Sequence, residues 1–338
     1  MGGAMFRLRS FLFLLFFAGS IPCTQAQDVS DTPSQPTPAQ PAPANSGGDF
    51  FRDWFSMVSA TQTAQPHWMT PVATTTPRLE QEFRYDIFWQ TNSEGVTREN
   101  YGGAKGLELI PESHIEVILV APPAYIVHNS PTIHDGFGDW GFLLKYRILS
   151  SNEEHGNYIV TVFFQATVPT GRYTNGATDA IITPTIAYGK GFGQFDFQGT
   201  FGASLPTGNE AKIGRTYPWN NTFQYHLYRK FWPELEVNYT YFQDGSNAGK
   251  TQVYLTPGVV LGRFRLWKRL ALSVGGGFQV ATTHFYTTNH NGIFTVRFPF
   301  WTPAIGSLEQ VAKRCSNLSF RGRFVPEESA FSLEFCKE

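Results

Sequence analysis

Between Ala26 and Arg314 the chain contains no cysteine; its three cysteines are Cys23, Cys315 and Cys336. That excludes a disulfide framework through the body of the protein, and with it the C-x-x-C pairs and Cys/His clusters of zinc sites. Net charge is nearly absent too. Lys and Arg number 26 against 27 Asp and Glu, a formal charge of -1, so no field draws nucleic acid or a strongly acidic substrate. Charged residues make up only 16% of the chain, where soluble domains carry roughly 25%. Past the N-terminus there is no apolar run of roughly 18 residues, which argues against a helical membrane protein. No G-x-S-x-G elbow is present, and nothing in the sequence asks for a cofactor. His128, His134 and Asp135 share one loop, the one place where a metal could be considered.

What the chain does have is aromatic residues and glycine: 31 Phe, 14 Tyr and 32 Gly. They are ordered with a period of two. From Gln194 to Leu205 one face carries Phe195, Phe197, Gly199, Phe201, Ala203 and Leu205. The other carries Gln194, Asp196, Gln198, Thr200, Gly202 and Ser204. Such alternation is a strand with two different faces. In a transmembrane barrel the aromatic face meets lipid and the polar face a lumen.

Residues 1–26 read as a cleaved secretory signal: Arg7 and Arg9 precede an apolar run, and Thr24-Gln25-Ala26 offers a small-residue cleavage site. Residues 27–76 read as a Pro- and Gln-rich disordered linker. Within it Phe51, Trp54, Phe55 and Val58 mark a short amphipathic helix over 50–60. Residues 77–300 then hold about twelve alternating segments, and the expected fold is all-β, an up-and-down transmembrane β-barrel of about twelve strands. Long connections fall at about 90–104, 122–137, 170–179, 206–220, 243–250 and 282–291. Short ones sit near Pro111-Glu112-Ser113, Gly189-Lys190-Gly191, Arg229-Lys230-Phe231-Trp232 and Gly262-Arg263. This alternation fits outer loops and periplasmic turns. Trp89, Trp140, Tyr188, Trp219, Trp232, Tyr241 and Trp267 lie at strand ends, as an interfacial girdle would.

The inward faces carry the candidate lumen-lining residues: Arg84, Asp86, Glu108, Glu116, Lys145, Arg147, Asp196, His226, Glu236 and Arg297. Two readings stay open for them, a salt-bridged network filling a narrow barrel and a mixed-charge constriction for small solutes. The alternation of Arg84, Asp86, Lys145 and Arg147 favours neither ion sign. The strand ending at Phe300, Ile293-Phe294-Thr295-Val296-Arg297-Phe298-Pro299-Phe300, resembles the C-terminal signature read by the barrel-assembly machinery. The chain continues for another 38 residues, 301–338, a C-terminal extension in which Cys315 and Cys336 could pair.

Three blocks carry a family resemblance: Asp135-Gly136-Phe137-Gly138-Asp139-Trp140 running into Leu144-Lys145-Tyr146-Arg147, then Val168-Pro169-Thr170-Gly171, then Leu205-Pro206-Thr207-Gly208. Together they resemble the phenol-degradation meta-pathway outer-membrane family. The resemblance implies a Gram-negative outer-membrane channel or transporter for passive uptake of small hydrophobic or aromatic solutes, with no catalytic residues. The expected partners are outer-membrane lipid, the assembly machinery and a small-molecule solute, without nucleic acid. The alternative is a structural or adhesive barrel whose long loops bind ligands or partners.

Overall fold

The computed structural model describes residues 47–301, apart from 104, 121–122 and 229. The signal segment, the first part of the linker and the extension with Cys315 and Cys336 lie outside the described residues. Helix α1 (Gly47–Thr63) precedes the strands β1 (Glu82–Asn92), β2 (Thr97–Tyr101), β3 (Leu107–Glu112), β4 (Ile115–Leu119), β5 (Tyr125–His128), β6 (Gly136–Phe137), β7 (Trp140–Ser151) and β8 (Tyr158–Val168). They continue with β9 (Ile181–Phe192), β10 (Phe195–Gly202), β11 (Leu205–Pro206), a short α2 (Glu210–Ile213), β12 (Thr216–Tyr225), β13 (Phe231–Phe242), β14 (Thr251–Arg265), β15 (Ala271–Ala281) and β16 (Thr288–Pro299).

Twelve of the strands close an antiparallel barrel: β1, β3, β4, β7–β10 and β12–β16. Closure runs through β1 and β16, in register from Glu82↔Pro299 to Gln90↔Asn291. A closed sheet leaves no edge, so each wall amide finds a partner without water. Alternation decides the faces. In β7, Trp140, Phe142, Leu144 and Tyr146 are exposed outward while Gly141, Leu143, Lys145 and Arg147 are buried inward. The outward set expected on the other strands also faces out: Phe83, Tyr85, Ile87 and Trp89 on β1, and Phe195, Phe197 and Phe201 on β10. This is the apolar belt that lipid requires.

Four local expectations are corrected. The stretches 90–104 and 122–137 are not plain loops. β1 continues to Asn92 and pairs with β2, which pairs with β5 and through it β6, extending the wall on the long-loop side. Gly189-Lys190-Gly191 is not a turn; β9 runs through it to Phe192. Gly189 is there because Trp68 lies against it, and a Cβ would fall 2.5 Å from that ring. Trp232 belongs to no girdle: it is buried inside, stacked on His226 at 4.0 Å between ring centroids. Finally, the linker expected over 27–76 gives way to ordered structure well before its end. α1 runs to Thr63, and residues 64–81 fold irregularly into the barrel interior.

That inserted segment makes the core. Trp68, Met69 and Val72 pack with Ile159, Trp232, Val260 and Ile293 of the wall. α1 caps the short-turn end, where Val58 meets Leu79 and Ile110, and the Trp54 indole N–H donates to the Ile110 carbonyl at 2.7 Å.

Candidate functional site

Residues 64–81 form a plug held by its backbone. It makes no strand ladder, so its polar backbone groups must find partners among wall side chains. Its carbonyls are taken by cationic and amide donors. Gln198 donates to the Met69 carbonyl at 3.0 Å, and Arg297 to the carbonyls of Thr70 and, at 2.7 Å, Pro71. Arg84 reaches the Val72 carbonyl at 2.6 Å, and Lys145 the Arg78 carbonyl at 3.0 Å. Thr161 donates to the Pro77 carbonyl at 2.6 Å. Four of the plug's amides go to wall carboxylates within the barrel. Val72 N–H donates to Glu234 at 2.8 Å, Ala73 and Thr74 N–H donate to the two oxygens of Glu236 at 2.7 and 2.6 Å, and Glu80 N–H donates to Glu116 at 2.6 Å.

Ion pairs knit the wall side chains to each other. Arg84 Nε lies 2.9 Å from Asp86, and Lys145 Nζ lies 3.0 Å from Glu116. Within the plug, Arg78 pairs with Glu80 at 3.0 Å. All are nearly or fully buried. Charge-assisted hydrogen bonds of this kind are about twice as strong as neutral ones.

The structure therefore places the candidate lumen residues as follows. Arg84, Asp86, Glu108, Glu116, Lys145, Glu236 and Arg297 point inward and are buried around the plug, and Asp196 is buried at the edge of a cavity at the short-turn end. Asp196 accepts from Gln198 at 3.0 Å, and Glu108 stands across from Glu82 in the β1–β3 register. Arg147 is near the short-turn mouth, where it donates to the Thr61 and Ser113 carbonyls at 3.1 and 2.7 Å. His226, just past the end of β12, is half-buried at the same mouth, where it stacks on Trp232 and lines a cavity. Sequence reasoning missed Glu234, although it shares the inward parity of Glu236, and it missed the plug itself.

Two cavities lie toward the two ends of the barrel. At the short-turn end one of about 250 Å³ is lined by His67, Trp68, Glu153, Asp196, His226 and Trp232. At the long-loop end one of about 300 Å³ is lined by Gln90, Asn92, Arg98, His128, Thr287 and Thr288. Above the plug tip the wall is neutral and polar: Asn238 donates to Thr74 Oγ1 and Asn220 at 3.2 Å each, and Gln279 donates to Asn238 at 3.2 Å. Where the plug enters, His67 binds Glu153 in the β7–β8 turn twice, through its backbone N–H at 2.6 Å and its ring Nδ1 at 2.7 Å. Partial burial raises the Glu153 carboxyl, but the bonds from His67 outweigh it and hold the group at about 2.

The loop histidines serve the loops. His128 takes Asp135 through its backbone N–H at 2.7 Å and Asn175 through its ring at 2.6 Å, while His134 packs on Tyr173. Among the described residues no group of three or more His, Cys, Asp or Glu is placed to hold a metal ion.

No protein-family model matches the chain, and no curated protein matches it. Several solved structures are similar in architecture. An outer-membrane channel from Pseudomonas putida F1 aligns at 11% identity over 65% of this chain and 95% of its own, with a TM-score of 0.46. The NanC porin aligns at 10% identity over 64% and 98%, with a TM-score of 0.41. OmpF of Salmonella typhi, complexed with daunomycin, aligns at 9% over 65% and 96%, with a TM-score of 0.31. Likenesses this distant say nothing about what this chain carries.

Proposed function

We propose that this chain is an outer-membrane channel closed by its own N-terminal plug and opened when that plug leaves the lumen. The observation that carries the reading is the way the plug is held. Its backbone is bound by wall side chains, most of them charged, beside the apolar contacts of Trp68, Met69 and Val72. An apolar core of the same volume is often as stable as a buried ion network or more so. A charged wall is suited to both states, paired with the plug when closed and hydrated when open. The lipid-facing belt and the secretory signal support a Gram-negative outer membrane, with the short turns in the periplasm.

Transport would be passive and would use no cofactor. The outer vestibule, with Asn220, Asn238, Gln279 and Thr256, suits small solutes with hydrogen-bonding groups. Uptake of hydrophobic or aromatic compounds, which the motif resemblance implies, draws support here from the half-buried Phe88 and from Tyr254. The completeness of the filling favours a second reading, a structural or adhesive barrel.

A tether separates the two. An ideal Cβ on Gly277 lies 3.5 Å from Val72 Cγ1, so Val72→Cys with Gly277→Cys should cross-link plug to wall. In planar bilayers the oxidised pair is expected to be silent. The reduced pair, and a variant lacking residues 47–76, are expected to conduct. Silence in all three, from correctly folded protein, would leave the structural barrel standing.

A further inference from the structure

The cavity of about 250 Å³ at the short-turn end is built jointly by plug and wall. Its rim is polar and exposed, with His67 of the plug, Glu153 of the β7–β8 turn and Gln194 of the β9–β10 turn. Its floor is buried. Trp68 of the plug, Asp196 of β10 and Trp232 of β13 lie there, with His226 half-buried against the Trp232 ring. Three polar atoms of this floor have no hydrogen-bond partner among the described residues: Trp68 Nε1, Asp196 Oδ2 and His226 Nε2. The Trp68 ring turns its Cζ3 edge to Gly189, so its N–H lies on the opposite edge. Asp196 Oδ1 accepts from Gln198, deeper in the barrel, at 3.0 Å, which leaves Oδ2 for the cavity.

Charge narrows the class of ligand. Two carboxylates line the cavity, and no Lys or Arg does. His67 meets both oxygens of Glu153, whereas Asp196 is in no ion pair among the described residues. Arg78, the cation whose charge reaches Asp196, is itself paired with Glu80 at 3.0 Å. A buried carboxylate calls for a cation that also donates hydrogen bonds. A metal ion does not fit, since no group of three or more His, Cys, Asp or Glu among the described residues is placed to hold one. Trp68 and Trp232 suit an organic cation with an apolar body. We propose that this pocket binds a small protonated amine carrying an apolar or aromatic group, which enters from the short-turn side. The ammonium donates to Asp196 Oδ2 and to the neutral His226 ring at Nε2, while the body lies against Trp68 and Trp232. Because His67 and Trp68 belong to the plug, occupancy favours the docked state. The inference needs the plug docked, but not that it opens or that the barrel conducts.

The test is isothermal titration calorimetry of the full chain in detergent micelles, with phenethylamine, phenethyl alcohol and phenylacetate as probes of similar body and different charge. Phenethylamine is expected to bind, and the other two to bind about tenfold more weakly or worse. Asp196→Asn keeps the shape of the side chain and should weaken phenethylamine by about tenfold or more. Gln194→Lys places a cation at the exposed rim without touching the floor and should weaken it several-fold. Glu94→Gln, in the β1–β2 hairpin at the other end of the barrel, should leave it unchanged. Micelle partition is common to all variants and drops out of the comparison, and heat-modifiable gel migration confirms that each is folded. No heat of binding from phenethylamine would mean that Asp196 simply keeps a proton, and would overturn the proposal. Equal binding of phenethyl alcohol, tighter binding of phenylacetate, or an affinity that survives the folded Asp196→Asn or Gln194→Lys variant likewise overturns it.

Discussion

Replacing Glu236 by alanine should loosen the plug without touching the barrel. The carboxylate is fully buried and accepts the N–H groups of Ala73 and Thr74, one on each oxygen. Its own backbone belongs to the ladder between Thr222 and Thr256, which the substitution leaves alone. A hydrogen bond to a charged group contributes about 1.5–3 kcal/mol, so two would give about 3–6 kcal/mol. Water entering the space left by the side chain recovers part of this, and about 3 kcal/mol is the loss to expect. At 1.4 kcal/mol per factor of ten, the undocked fraction of the plug should rise by about two orders of magnitude. Hydrogen exchange at the Val72 to Thr74 amides reads that rise directly, and bilayer conductance reads its consequence. Glu236→Gln keeps one acceptor oxygen and should fall between. If Glu236→Ala exchanges no faster at those amides, or if the barrel itself loses its folded gel migration, the plug is not an independently releasable element.

Three further outcomes follow from the same geometry. Phe197→Arg, in the middle of the lipid-facing side of β10, should cost about 2–4 kcal/mol, measured by urea unfolding into lipid vesicles; no loss would mean the face is not in hydrocarbon. Asp196→Asn should be neutral or stabilising in the same assay, because the buried Asp196 Oδ2 has no partner among the described residues while Oδ1 would still accept from Gln198; a large loss would show a further partner for the carboxylate. Glu153, held down to about 2 from an ordinary 4.5 by His67, contributes stability that is present above 4.5 and lost as pH falls toward 2. The difference in melting temperature between wild type and Glu153→Gln should therefore persist at pH 5 and vanish across that window; a difference unchanged at pH 2 would sever the pair from plug docking.

The wall was legible in the sequence because lipid and lumen impose opposite chemistry on alternate residues. Phe294, Val296 and Phe298 against Thr295 and Arg297 need no tertiary knowledge to sort. The plug was not legible, because residues 64–81 have the Pro, Thr and Gln of a linker and form no periodic element. Their order comes from Arg297, Gln198 and Glu236, which are more than a hundred residues distant in the chain. Trp68, Met69 and Val72 were the available signal, apolar side chains where a solvated linker has no use for them. Gly189 and Gly191 misled for a related reason. Glycine marks turns, but here it makes room, for Trp68 at one position and for the Asn157 side chain at the other.

The charge balance of the wall carries the argument one step further. Among its buried strand residues are seven carboxylates, Glu82, Asp86, Glu108, Glu116, Asp196, Glu234 and Glu236, and four cations, Arg84, Lys145, Arg147 and Arg297. Even with Arg263 at the periplasmic edge and the buried Lys105 ahead of β3 added, carboxylates remain in excess by one. In the closed state the plug's amides make up the missing donors, at Val72, Ala73, Thr74 and Glu80. Once the plug leaves, those acceptors face water and the lumen is net negative, which alternating residues on single strands could not reveal. Rings of carboxylates favour cations. The variant lacking residues 47–76, placed between unequal KCl solutions, should therefore show a reversal potential of the sign set by potassium. Glu234→Gln with Glu236→Gln should move that potential toward zero. An anion-selective reversal potential would mean that the wall does not keep its inward charges when the plug is gone, and the description of these residues as a lumen would fail with it.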